Sequence, residues 1–102
     1  MQEHTKIFKA LSDENRIKIL EYIQKKRSEP CKSTCEPDGV CASDLAELLG
    51  ITAATTSHHI KELVNAGLIT AHKQGRWVYC RLNEKAFSQA IWFLSKLGKE
   101  GV

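Results

Sequence analysis

Cysteine and histidine, four of each, are the residue types in this 102-residue chain best suited to chemistry. Cys31, Cys35 and Cys41 form a Cys-x3-Cys-x5-Cys run, and Cys80 stands apart. The run is not a zinc-ribbon pattern, which pairs its thiols as Cys-x2-Cys. Three thiolates without an evident fourth ligand suit arsenite or antimonite, which form pyramidal three-sulfur complexes. They also suit lead or cadmium, because soft ligands select soft ions. Zinc would need a fourth ligand, for which Glu36, Asp38, His4 or a group from a second copy of the chain is available. Two other readings stay open. The three thiols are incidental loop cysteines, or they form a disulfide or persulfide bridge and sense oxidants.

Cys41 stands where an N-cap belongs, with Asp44 three residues on. A capping box carries Ser or Thr followed by an acid at that spacing. A thiol in place of the hydroxyl is a poorer cap, which points to another use. A helix N-terminus also favours negative charge, and the thiolate is the form that binds metals. Cys80 is different. Strand alternation puts Val78, Cys80 and Leu82 on one face and Trp77, Tyr79 and Arg81 on the other. Between Val and Leu, Cys80 reads as a small buried apolar residue rather than a ligand.

The elements that must hold these residues follow from periodicity and punctuation. Ile7, Phe8 and Leu11 predict a short first helix, and Ser12-Asp13 starts a second. Ile17, Leu20 and Ile23 mark the apolar side of that second helix, which fades near the KKR run at 25–27. Residues 28–40 read as loop, because Pro30 and Pro37 break helices and Asp38-Gly39 favours a turn. A third helix covers 42–49, with Leu45, Leu48 and Leu49 apolar, and Gly50 ends it. Thr52 caps a fourth helix that runs to about Ala66 and stops at Gly67. Strands at 68–73 and 76–82 flank a Gln74-Gly75 turn. Asn83 starts a final helix with a stripe of Phe87, Ala90, Ile91, Leu94 and Leu97. Trp92 and Phe93 lie off that stripe, so this helix is apolar on more than one side and requires a partner, most simply a second copy.

The sum is one mainly α domain spanning 1–102, with about five helices and a two-stranded wing: a winged helix-turn-helix. Its parts are a cysteine-containing loop at 28–40, a helix-turn-helix at 41–66, a wing at 68–82 and a dimerisation helix at 83–98.

These segments resemble the arsenic-repressor (ArsR/SmtB) family of winged helix-turn-helix metalloregulators. The resemblance rests on FKALSDENRIKIL at 8–20, DLAELLGIT at 44–52, SHHIKEL at 57–63 and NAGLITAHKQGRWVYCRLN at 65–83, which come in family order and span nearly the whole chain. It implies a homodimer joined through the first and last helices, and repression relieved by a ligand. It also makes Cys41 the first position of the family's paired-cysteine motif, with Ser43 at the second, so that motif is half kept. The loop holding Cys31 and Cys35 is longer than the family's. The last helix lacks the His and acidic pairs of the family's zinc site there.

On the fourth helix, Thr56, Ile60, Leu63 and Val64 are expected to face the core. Thr55, His58 and Lys61 lie on the outer side with Ser57 at the flank, where short polar groups and imidazoles reach base edges and phosphates. The helix N-terminus, at Thr52, itself favours a phosphate. The resemblance brings Ala53, Ala54, Ser57 and His58 close to DNA; the alanines offer only methyl contacts to thymine. Lys73 and Arg76 flank the wing turn and suit a backbone or minor-groove contact. His59 divides between DNA and structure, and His72 reads as exposed.

The expected partner is double-stranded DNA bearing an imperfect inverted repeat, since a two-fold dimer presents two recognition helices to successive major grooves. Net charge is +3, which permits nucleic-acid binding without requiring it. No stretch approaches the ~20 apolar residues that cross a bilayer. No basic segment followed by an apolar run opens the sequence, so a cytoplasmic setting is expected, with reduced thiols free for metals or redox sensing. An enzyme is not expected, because the histidines belong to the recognition helix and little room remains for a substrate pocket.

Overall fold

The structure, a computed structural model, describes residues 2–28 and 39–100; Cys31 and Cys35 lie outside them. Its elements are α1 (Gln2–Ala10), α2 (Glu14–Ser28), β1 (Val40–Cys41), α3 (Ala42–Leu49), α4 (Ala53–Asn65), β2 (Ile69–Gln74), β3 (Trp77–Leu82) and α5 (Glu84–Glu100).

The corner between α1 and α2 is fixed by local hydrogen bonds. The Asp13 carboxylate accepts from the backbone N–H of Asn15 at 2.8 Å and of Arg16 at 3.3 Å, and so caps α2. Arg16 Nε donates to the Ala10 carbonyl at 2.9 Å, tying α2 to the end of α1. Ile19, Leu20 and Ile23 turn inward from α2. Ile17, expected among them, is exposed. At about 100° per residue it lies some 60° beyond Leu20, off the arc that 19, 20 and 23 share.

Gly50 ends α3 with φ 66°, and its N–H bonds the carbonyls of Ala46 at 3.0 Å and Glu47 at 3.2 Å. An L-residue with a side chain would be strained there, so this glycine sets the tight turn of the helix-turn-helix. Thr52 then caps α4: its side chain accepts from the Thr55 N–H at 3.1 Å. Thr56, His59, Ile60 and Leu63 of α4 are buried, whereas Val64, expected to face the core, is exposed. It lies about 40° past Ile60 at the edge of the buried arc.

The expected two-stranded wing has a third strand. The sheet order is β1-β3-β2, all antiparallel. The two residues of β1 pair with β3, Val40 with Cys80 and Cys41 with Tyr79. A strand so short carries no periodicity, which is why the sequence shows it only as the end of a loop. The hairpin turn falls at Gly75-Arg76, one residue later than expected, with Gln74 paired to Trp77. Gly75 has φ 62° and Arg76 does not have positive φ, which fits a type II′ turn. The base of the wing is closed by Asn83, whose side-chain amide donates to the Gly67 carbonyl at 2.8 Å and whose backbone N–H bonds Leu68 at 2.9 Å.

One core joins α1, α2, α3, α4 and the sheet, centred on Ile19, Leu45, Leu63, Leu68, Ile69 and Cys80. Among the described residues, the last helix enters it through Ala86, Ala90 and part of Phe87. Phe93 of α5 stacks on His4 of α1 at 4.3 Å and lies 6.0 Å from Phe8. Ile91, Trp92, Leu94 and Leu97 stay on the outside, Ile91 with 63% of its surface in solvent.

Candidate nucleic-acid interface and thiol site

The α4 helix has two chemically distinct sides. Its buried side carries Thr56, His59, Ile60 and Leu63; Thr52 at its cap and Ala53, Ala54, Thr55, Ser57, His58 and Lys61 are all exposed. Each residue expected to approach DNA is therefore on the open side. The short hydroxyls and the His58 imidazole cluster toward the N-terminal end, whose helix dipole also favours a phosphate.

His59 falls to structure. Only 7% of it is exposed, and its Nδ1 is buried without a hydrogen-bond partner. It sits near enough to the α1–α2 corner to act electrostatically on Asp13. Burial opposes the Asp13 charge, but the Arg16 and Asn15 backbone N–H groups, with His59 and Arg16, outweigh it and hold the carboxyl below its ordinary value. The two adjacent histidines thus divide, one toward solvent and one toward the corner, with rings 5.9 Å apart.

On the wing, Lys73 and Arg76 are exposed as expected. The sequence reading missed Trp77. This ring is exposed, and the Arg76 guanidinium lies 5.0 Å over its centroid. A basic residue next to an aromatic at a hairpin tip was the available signal. His72 is exposed, as expected, and its ring lies 5.9 Å from that of Tyr79.

The described thiols differ sharply. Cys41 is the N-cap of α3, with extended backbone and no side-chain capping bond. Its Sγ lies 3.1 Å from the Ser43 hydroxyl, and it is partly exposed. Cys80 is fully buried, and burial first, then the nearby Cys41, pushes its thiol up to about 11. The register explains the contrast. Val40 lies opposite Cys80 and Cys41 opposite Tyr79, so the two cysteines project from opposite faces of the sheet. Cys80 is thus a core residue, as its strand neighbours implied. Among the described residues no group of three or more His, Cys, Asp or Glu side chains could hold a metal ion. Of the three thiols expected as ligands only Cys41 falls within them, and His4, offered as a fourth ligand, stacks on Phe93. No helix among the described residues is long and apolar enough to cross a membrane.

A helix-turn-helix domain family model matches residues 11–72, which takes in α2, α3, α4 and the start of the wing. The cadmium resistance transcriptional regulatory protein CadC of Listeria innocua is 38% identical over 72 residues, 71% of this chain and 51% of that protein. The chain thus spans about half the length of that relative. The arsenical resistance operon repressor of Bacillus subtilis is 31% identical over 85 residues, 83% of this chain and 70% of that protein. A homodimeric winged helix-turn-helix DNA-binding domain from Mycobacterium bovis has the same fold, with a TM-score of 0.68 at 18% identity over 97% of this chain and 82% of that one. Their names are those of a transcriptional regulatory protein, an operon repressor and a DNA-binding domain. Fold, two-faced recognition helix and matched segments agree: the chain belongs to the arsenic-repressor (ArsR/SmtB) family of winged helix-turn-helix transcriptional regulators.

Proposed function

We propose that the chain is a homodimeric transcriptional repressor that leaves its operator when a soft metal ion or metalloid, foremost arsenite or antimonite, is held by the thiolates of Cys31, Cys35 and Cys41. The observation that carries this is Cys41, a partly exposed thiol at the first turn of the helix-turn-helix that is not spent on capping. Cys31 and Cys35 precede it by a short stretch of chain. A bound ion would supply one centre on which several thiolates converge. The donor chemistry suits that role, and the names of the two relatives, one for cadmium and one for arsenicals, agree with a thiophilic effector. The cadmium relative favours cadmium as the second reading, with lead and zinc beside it.

The partner is a duplex bearing an imperfect inverted repeat. Ser57, His58 and Thr55 meet base edges or phosphates in the major groove, with Thr52 and the helix N-terminus on a phosphate. Ala53 and Ala54 offer methyl contacts, and Lys61, Lys73 and Arg76 neutralise the backbone. The dimer is supported by the apolar outer side of α5, with α1 packed on its other flank.

The test is a duplex selected from a random pool by the reduced protein, then followed by fluorescence anisotropy against arsenite, cadmium, lead and zinc. Release at about one equivalent per subunit, lost in Cys41→Ser, is expected. Release by peroxide or persulfide alone overturns the metal reading and leaves a thiol redox repressor.

A further inference from the structure

We infer that β1 is a strap that couples the effector thiol directly to the wing, so that occupation of Cys41 is felt at the DNA-contacting hairpin and not only at the helix-turn-helix. The inference rests on the proposed role of Cys41 as an effector ligand; what it adds is the route of regulation.

The route begins with the register. Cys41 pairs with Tyr79 of β3, and Tyr79 pairs with His72 of β2. Directly opposed residues of antiparallel strands share a face. Cys41, Tyr79 and His72 therefore form one cross-strand row over the whole width of the sheet. The Tyr79 and His72 rings are in contact distance at 5.9 Å. Two residues from Tyr79 along β3 is Trp77, under the Arg76 guanidinium at the wing tip. The thiol is thus built into the stem of the hairpin that carries Lys73 and Arg76.

The strap has little slack. Val40, the other residue of β1, is buried opposite Cys80, which is fully buried. Gly39 enters the strand so close to β3 that a Cβ on it would lie 3.1 Å from the Cys80 carbonyl oxygen and 3.1 Å from Tyr79 Cβ. Nothing separates β1 from α3: Cys41 ends one and caps the other. A displacement of Cys41 on ligation therefore acts on β3 through the ladder as directly as on α3 through its first turn. Packed interfaces pass such shifts on, because close-packed groups have no free volume to absorb them.

Gly39→Ala separates the two routes. The added methyl pushes β1 and β3 apart by a few tenths of an ångström at the entry of the strap, against backbone atoms that cannot swing aside. Cys41 and the start of α3 keep their own connection.

The experiment uses the full chain and cadmium as the probe. Binding is followed by thiolate-to-cadmium absorbance in the near ultraviolet. The wing is followed by the Trp77 indole N–H resonance, assigned with Trp77→Phe, and by the β3 amides. In the wild type the Trp77 and Tyr79 resonances are expected to shift in step with the absorbance. In Gly39→Ala the absorbance is expected to be unchanged and the Trp77 shift to fall by at least about half. Cadmium is expected to weaken operator binding by about tenfold or more in the wild type and by only about threefold in this variant, where the α3 route remains. Cadmium absorbance with Trp77 and Tyr79 unmoved overturns the strap and leaves the proposed function standing. So does a Gly39→Ala protein whose Trp77 responds as fully as the wild type. Absence of a thiolate absorbance band with cadmium and with arsenite alike, or bands unchanged in Cys41→Ser, overturns both. The wild-type titration decides by itself should Gly39→Ala not fold.

Discussion

Replacing Cys80 by alanine is expected to flatten the alkaline limb of the stability curve while leaving the effector response intact. The thiol is fully buried, and its folded-state value is about 11 against an ordinary 9.0. The unfolded chain therefore loses the Cys80 proton first as pH rises. The folded state then binds more protons than the unfolded state, and stability falls with rising pH. Below the ordinary value the term is constant, and it is lost as pH climbs from 9.0 to about 11. At about 1.4 kcal/mol per unit, the wild type loses on the order of 2–3 kcal/mol that Cys80→Ala does not. The variant carries a pH-independent penalty of roughly 1 kcal/mol for the smaller side chain. Urea unfolding by circular dichroism at matched protein concentration, in steps from pH 8 to 11, gives both curves, and lysine and tyrosine titrations cancel in their difference. Wild-type and Cys80→Ala curves that stay parallel through pH 11 would refute the burial argument. So would iodoacetamide labelling of Cys80 in the native protein as fast as Cys41.

Three further outcomes follow from the geometry. Thr52→Ala removes the acceptor of the Thr55 N–H and is expected to cost about 1 kcal/mol in thermal unfolding, with a loss of operator affinity because the same turn belongs to the proposed DNA-facing side. Lys73→Ala and Arg76→Ala are expected to lower the slope of log affinity against log salt by about 1 each, with little change in sequence preference, measured by anisotropy from low to moderate salt. Leu94→Glu places a charge on the exposed apolar side of α5; sedimentation is expected to show monomer, and operator affinity to fall by about tenfold or more as bivalent binding is lost.

Much of the fold was legible because its signals are local. The Asp13 and Thr52 caps, the Gly50 stop and the glycine of the wing turn each act within a few residues, and each sits where the sequence places it, the turn within one residue. The misplaced residues share a cause. Ile17 and Val64 are apolar, but the buried arc of a helix is set by what packs on it, and a list of apolar positions does not fix where that arc ends. The α5 stripe shows the same limit from the other side. Phe87 and Ala90 face this chain, and Ile91, Leu94 and Leu97 do not, although all five fall on one helical stripe. Periodicity reveals that a face is apolar without revealing which molecule covers it.

The candidate site was legible in its chemistry and hidden in its connections. Residue types identified the outer side of α4, the wing cations and the odd thiol before α3. They left His59 undecided, since a histidine one position from the exposed side differs from His58 only by the rotation of one residue. The structure resolves it through the α1–α2 corner, a contact between segments more than forty residues apart. The pairing of Cys41 with Tyr79 is equally non-local, and it alters the reasoning about the switch. If the thiol sat only at a helix end, its ligation would bear on α3 alone, and the wing would be a passive contact. Pinned to β3, the same thiol would, on the proposed reading, move both proposed DNA-facing elements together. A regulator built this way loses major-groove and wing contacts in one step, and those losses reinforce each other when both sites lie on one rigid body. On the proposed reading, that coupling is the physical reason for a thiol at a position where serine would have made the better cap.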